Sequence, residues 1–144
     1  MENLEEIFLV WKSHGLRLTK TRKAFASLFS RSKIPLSVSD ILREFRLMRI
    51  AVNKTTVYRE LERMQSLGIV ESMRLRDRRQ YYELASREHH HHLVCVRCER
   101  VEDVDVDEKE LLAEEQKVSR EKDFAIIRHS LEFFGVCMGC QAGG

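Results

Sequence analysis

Leu4, Ile7, Phe8 and Trp11 recur at helical spacing, which predicts an amphipathic helix over residues 3–13 that ends at Gly15. Thr19 is placed to cap a second helix that buries Ala24, Phe25, Leu28 and Phe29, and the single proline, Pro35, falls in the loop that follows. Ser37-Val38-Ser39-Asp40 has capping-box spacing, with Asp in place of the usual Glu, ahead of Ile41, Leu42 and Phe45. Asn53 opens a fourth helix with Val57, Leu61 and Met64 inward, and Gly68 is a natural stop. Beyond it the period changes: residues 69–76 and 80–84 read as two strands around the polar turn Asp77-Arg78-Arg79.

Helices followed by a hairpin make a winged helix-turn-helix, a reader of double-stranded DNA. The fourth helix would enter the major groove and the hairpin would form the wing. Residues 1–84 form this domain and residues 85–88 a link. In residues 89–144, strands are expected at 93–98, 101–106, 124–127 and 131–136. A charged helix over 108–122 turns Leu111, Leu112 and Val118 to one face, so the fold class is α+β in two parts. A unit of about 50 residues is small for an independent core and needs staples or a partner.

The 144 residues are 43% hydrophobic and 33% charged, a composition that suits a soluble globular protein. No stretch approaches the ~20 apolar residues that span a bilayer, and the acidic start is no secretory signal, so a cytoplasmic protein without a membrane partner is expected. The net charge of +2 conceals an asymmetry. Residues 1–80 hold 17 Lys/Arg against 9 Asp/Glu, and residues 81–144 hold 8 against 14. A basic half facing a polyanion, joined to an acidic half with another task, follows from that split.

All four cysteines fall in two pairs, Cys95-x-x-Cys98 and Cys137-x-x-Cys140, the spacing of a closed four-thiolate zinc site. Such a site stabilises and does not catalyse. The run His89-His90-His91-His92 precedes it, and alternation along extended chain sends His90 and His92 to one side, His89 and His91 to the other. Glu83 can join the first pair; His129 and a helix carboxylate can join the second. A mixed nitrogen and oxygen set accepts zinc, ferrous iron, manganese or nickel. Two further readings compete with a metal-dependent DNA-binding repressor. One is a metalloenzyme, against which stands the lack of any His-Glu-x-x-His helix, nucleophile elbow or phosphate loop. The other is a metal-storage or chaperone module. No small organic substrate is implied.

Four segments together resemble the ferric uptake regulator superfamily of metal-responsive repressors: GLRLTKTR at 15–22, NKTTVYR at 53–59, HHHHLVCVRC at 89–98 and HSLEFFGVC at 129–137. The resemblance implies a homodimer, a C-terminal dimerisation domain and a regulatory metal that favours the DNA-binding shape on palindromic promoter DNA. It implies that Cys95, Cys98, Cys137 and Cys140 hold structural zinc, and that Glu83, His90 and His92 form the regulatory site for iron(II), zinc or manganese(II). It also implies a further site of His89, His91 and His129 with Glu110 as the carboxylate, Glu108 being the alternative. Residues 33–37 lack the histidine that iron-responsive members supply, whereas Glu71 lies near the acidic wing ligand of zinc-responsive members. Thr55, Thr56, Tyr58 and Arg59 then occupy the exposed start of the recognition helix, Arg17 and Lys20 match contacts near the minor groove, and Arg74, Arg76, Arg78 and Arg79 face phosphates.

Overall fold

The computed structural model describes residues 2–75, 79–87 and 89–143, and the chain divides into two compact units, Met1–Glu88 and His89–Gly144. Arg76, Asp77, Arg78 and Glu88, which carry part of the expected wing and link, lie outside the described residues.

The first unit runs α1 (Glu2–Ser13), α2 (Lys20–Arg31), β1 (Leu36–Ser37), α3 (Val38–Leu47), α4 (Lys54–Ser66), β2 (Val70–Arg74) and β3 (Gln80–Leu84). Local chemistry sets its boundaries. The Thr19 hydroxyl accepts the backbone N–H of Arg22 at 3.2 Å. Ser37 and Asp40 form a reciprocal capping box, and the Asn53 carboxamide oxygen accepts the N–H of Thr56 at 2.8 Å. Gly68 leaves α4 at φ 72°, a left-handed conformation that costs glycine least. Trp11, Phe25, Ile41, Phe45, Val57, Leu61 and Met64 are fully enclosed in one apolar core, with Phe25 edge-on to Phe45 at 4.8 Å between ring centroids. The two-residue β1 was not legible in the pattern; it pairs with β3, which also pairs with β2, giving the antiparallel order β1-β3-β2.

The second unit runs β4 (His91–Cys95), β5 (Val101–Val104), α5 (Lys109–Lys122), β6 (Glu132–Gly135) and α6 (Met138–Ala142). Its sheet has the order β5-β4-β6, with β4 antiparallel to β5 and parallel to β6. Two expectations are corrected by the structure. Residues 124–127 form no strand: Asp123 turns left-handed at the end of α5 (φ 50°), and the apolar run beyond it lies on the surface, Phe124 being 69% and Ile127 92% exposed. The half-buried stripe of α5 is Leu111, Glu115 and Ser119, whereas Leu112 and Val118 point to solvent. The short α6 was not anticipated, its residues carrying no helical apolar period. Among the described residues of this unit only Val94, Cys95, Val101, His91 and His92 are buried.

Candidate metal centres and nucleic-acid face

The parallel pairing of β4 with β6 explains the sulphur cluster. Cys95 ends β4 opposite Gly135, so Cys137, two residues on, arrives beside it and donates its N–H to Cys95 Sγ at 3.3 Å. Glu99 takes the left-handed conformation (φ 66°) and folds the chain after Cys95 into the tight turn that returns Cys98. Cys140 comes back from the first turns of α6. The four Sγ atoms lie within 4.8 Å of one another, and Cys98 Sγ stands 3.7 Å from Cys137 Sγ. A tetrahedron with metal–sulphur bonds of about 2.3 Å has edges of about 3.8 Å, so the donor set fits zinc. The backbone N–H of Cys137, with that of Cys98 next, holds the Cys95 thiol down at about 6, while the Cys137 and Cys98 side chains push Cys140 up to about 12. Four sulphurs this close cannot all ionise without a shared cation, which is what a thiophilic divalent metal provides.

The second cluster gathers His89, His91, His129 and Glu108, whose ligand atoms also lie within 4.8 Å of one another. Glu108 Oε1 is 3.0 Å from His89 Nε2 and 3.1 Å from His129 Nε2, and it is in close contact with His91 Nε2. One carboxylate oxygen has two lone pairs, so three imidazoles converging on it exceed what hydrogen bonding alone accommodates. Edges of about 3.3 Å are those of a tetrahedral nitrogen and oxygen site with bonds near 2.0 Å. Hydrogen bonding from His91, then His89, draws the Glu108 carboxyl down to about 2, and Glu108 followed by Glu115 raises His129. Glu108, not Glu110, is therefore the carboxylate of this cluster. The helix begins at Lys109, leaving Glu108 at the N-cap facing the histidines, while Glu110 is exposed in the first turn. Glu115 was not expected; it accepts from His129 Nδ1 at 3.0 Å, which turns Nε2 toward the cluster. Its signal was present in the sequence, since it lies two turns after Glu108 on the same helical stripe.

His90 and His92 emerge on the opposite side of the strand, Nε2 to Nε2 at 3.1 Å. Asp103, a residue that sequence reasoning missed, pairs with His92 across β4 and β5 and brings Oδ1 to 3.8 Å and 3.9 Å from the two rings. In the first unit Glu83 is buried on β3 and lies directly across from Glu71 on β2, so both carboxylates share one face of the hairpin. Arg87 Nη1 donates to Glu83 Oε2 at 2.7 Å and offsets the juxtaposed negative charges.

Thr55, Thr56, Tyr58 and Arg59 are exposed on the outer side of α4, and Arg17 and Lys20 are exposed at the approach to α2. A cleft of about 360 Å³ separates the start of α4 from the hairpin, and Lys54, Arg74 and Arg79 line it with Tyr58, Ser39 and Gln80. Three cations around a polar groove beside a capped helix start suit a phosphodiester backbone. Arg76 and Arg78 lie outside the described residues.

A basic winged helix, followed on one chain by a four-thiolate cluster and a histidine–carboxylate cluster, defines a class: the metal-responsive transcription regulator. Comparison with known proteins narrows it, for the ferric uptake regulator family model matches residues 13–134, and the chain belongs to that family. It is 32% identical over 134 residues to the ferric uptake regulation protein of Neisseria gonorrhoeae, covering 92% of both chains. The ferric uptake regulator of Helicobacter pylori, described with three functional metal-binding sites, superposes with a TM-score of 0.79 at 25% identity, over 97% of this chain and 92% of that one. A zinc-bound manganese uptake regulator superposes at 0.71 with 28% identity, over 94% and 99%. No described helix is long and apolar enough to cross a membrane.

Proposed function

We propose that the protein is a cytoplasmic, homodimeric repressor that binds palindromic promoter DNA when a regulatory metal is held by His90 and His92 together with Glu83, with Glu71 opposite Glu83 on the paired strand of its hairpin and Asp103 opposite His92 on β5. The observation that carries this reading is the use made of β4. One five-residue strand presents His91 to the Glu108 cluster, His92 to the opposite side and Cys95 to the thiolates. Any metal bound along it acts on the first structured segment after the winged helix, since Glu83 precedes His90 by only seven residues.

Within this reading Cys95, Cys98, Cys137 and Cys140 hold a structural zinc, and His89, His91, His129 and Glu108 hold a second metal. A metal at the regulatory site supplies a divalent charge that favours one arrangement of the joint, shifting the population toward the DNA-binding form. The residues do the rest: Glu83 and Glu71 offer hard oxygen donors, His90 and His92 borderline nitrogens, a set matched to iron(II), zinc or manganese(II). Phe124, Ile127 and Phe134 are exposed apolar side chains of the second unit that a second copy of the chain would cover. Thr55, Thr56, Tyr58 and Arg59 read the major groove, and Arg17 and Lys20 reach toward the minor groove.

The test is metal content per chain, followed by titration of zinc, iron(II) and manganese(II) into the zinc-replete protein on promoter DNA at fixed salt. One tightly held zinc, and an exchangeable metal dependent on His90 and His92 that strengthens DNA binding, are expected. DNA binding indifferent to every metal would overturn the regulatory reading.

A further inference from the structure

The recognition helix α4 carries a carboxylate on the side that should be apolar. Val57, Leu61 and Met64 turn inward at helical spacing, and Glu60 lies among them, only 8% exposed. A buried carboxylate is tolerated where charged donors satisfy both oxygens. Arg22, from the first turn of α2, donates Nε to Glu60 Oε1 at 3.0 Å, and Arg63 Nη1 lies 3.2 Å from Oε2.

The same guanidinium has a second task. Arg22 Nη1 donates to the backbone carbonyl of Arg17 at 2.8 Å, while its own backbone N–H is held by the Thr19 hydroxyl. Helix α2 packs against α1, α3 and β3, and α4 against α3 and β2. One largely enclosed side chain thus ties the middle of α4 directly to the segment that precedes α2. Those are the two segments that present the candidate DNA contacts: Thr55, Thr56, Tyr58 and Arg59 on one, Arg17 and Lys20 on the other.

We infer that Arg22 is a positioning residue for DNA recognition, which through Glu60 sets the spacing between the Arg17–Lys20 approach and the reading face of α4. The inference rests on the DNA-binding reading above. It depends on the fork of the guanidinium, because two N–H groups must point at two acceptors on different segments. A lysine ammonium keeps the charge but not that geometry.

The experiment uses full-length, zinc-replete protein and a duplex selected by the wild type from a randomised pool, with a scrambled duplex as control. Arg22→Lys should weaken binding to the selected duplex about tenfold, the discrimination carried by one good base contact. Affinity for the scrambled duplex and the salt dependence of binding should stay within about twofold of wild type, because no phosphate contact is removed. Hydroxyl-radical footprints should lose protection at the minor-groove edge next to each half-site while keeping the rest. Glu60→Gln, which retains an acceptor oxygen and the side-chain shape, should show the same pattern with a smaller loss and serves if Arg22→Lys does not fold. An unchanged ratio between the two duplexes in folded variants overturns the inference. So does a parallel loss on both duplexes with a shallower salt slope, which would make Arg22 a phosphate contact. A wild type that selects no sequence removes the DNA-binding reading itself and the inference with it.

Discussion

Substituting Cys98 by serine isolates the contribution of the four-thiolate site to stability. Cys98 is exposed, so the change opens no cavity and buries no new polar group; what it removes is one sulphur donor. The second unit has little else to hold it. Apart from the ligand Cys95, its buried apolar side chains among the described residues are Val94 and Val101, and at about 1.5–3 kcal/mol each their burial contributes no more than ~6 kcal/mol. A structural zinc in a small domain contributes on the order of 10–16 kcal/mol near neutral pH. The metal therefore outweighs the core of this unit. The first unit, with its enclosed cluster around Trp11, Phe25 and Phe45, has no such dependence.

Calorimetry with metal analysis reads the consequence. Wild-type protein should hold one zinc that resists dialysis. Cys98→Ser should lose it, and the transition of residues 89–144 should fall by more than ~15 °C, since each kcal/mol moves the melting point of a domain this small by about 4–8 °C. The transition of the winged helix should move by no more than a few degrees. A Cys98→Ser protein with full zinc content and an unchanged melting profile would refute the reasoning, as would a chelator-stripped wild type whose second unit stays folded.

His90→Ala and His92→Ala should each shift the midpoint of the metal titration on DNA upward by at least about 10–100-fold, the loss typical of disturbing a metal site, while leaving the zinc content and the dimer intact; equal unfolding in both would contradict this division of labour. Ser37→Ala, which removes one half of the capping box with Asp40, should cost about 1 kcal/mol and lower the melting of the winged helix by roughly 4–8 °C. Arg59→Ala should cost about 1–3 kcal/mol of discrimination between operator and scrambled duplex in fluorescence anisotropy, with the salt slope unchanged. A uniform loss on both duplexes would instead assign Arg59 to phosphate.

Much of the first unit could be read from periodicity and caps, because its determinants are local. Thr19, Ser37 and Asn53 bond within one turn, and the inward positions of α2, α3 and α4 repeat every three or four residues. Glu60 is the exception, since nothing local marks a glutamate as buried; its partner Arg22 lies 38 residues earlier. The second unit resisted for the same reason. Asp103 meets His92 only through strand register, and the choice of Glu108 over Glu110 turned on where α5 begins. The run at 124–127 looks like a strand because exposed apolar residues and strand residues have the same composition, and only pairing separates them. The cysteine pairs were legible at once, as two adjacent pairs in a chain with no other cysteine leave few alternatives.

The two ligand clusters described inside the second unit grip opposite ends of one parallel strand pair, and this predicts an asymmetry between them. Cys95 closes β4 and Cys137 follows β6, so the thiolates fix one end; His89 and His91 open β4 and His129 precedes β6, so the Glu108 cluster fixes the other. The four-residue β6 has its pairing with β4 and little burial to keep it in register. Freeing the thiolate end should therefore release β6 and carry His129 away from Glu108, whereas opening the histidine end leaves Cys95 and Cys137 adjacent. Cys98→Ser protein should lose the metal of the Glu108 cluster together with the zinc. Glu108→Gln should weaken only the metal of that cluster, by roughly 10–100-fold in competition with a chelator, and Glu110→Gln should change neither. Metal stoichiometry after graded chelation distinguishes the outcomes: a Cys98→Ser chain that retains metal at the histidines, or a Glu108→Gln chain that sheds its zinc, would show that the strand pair does not couple the two sites.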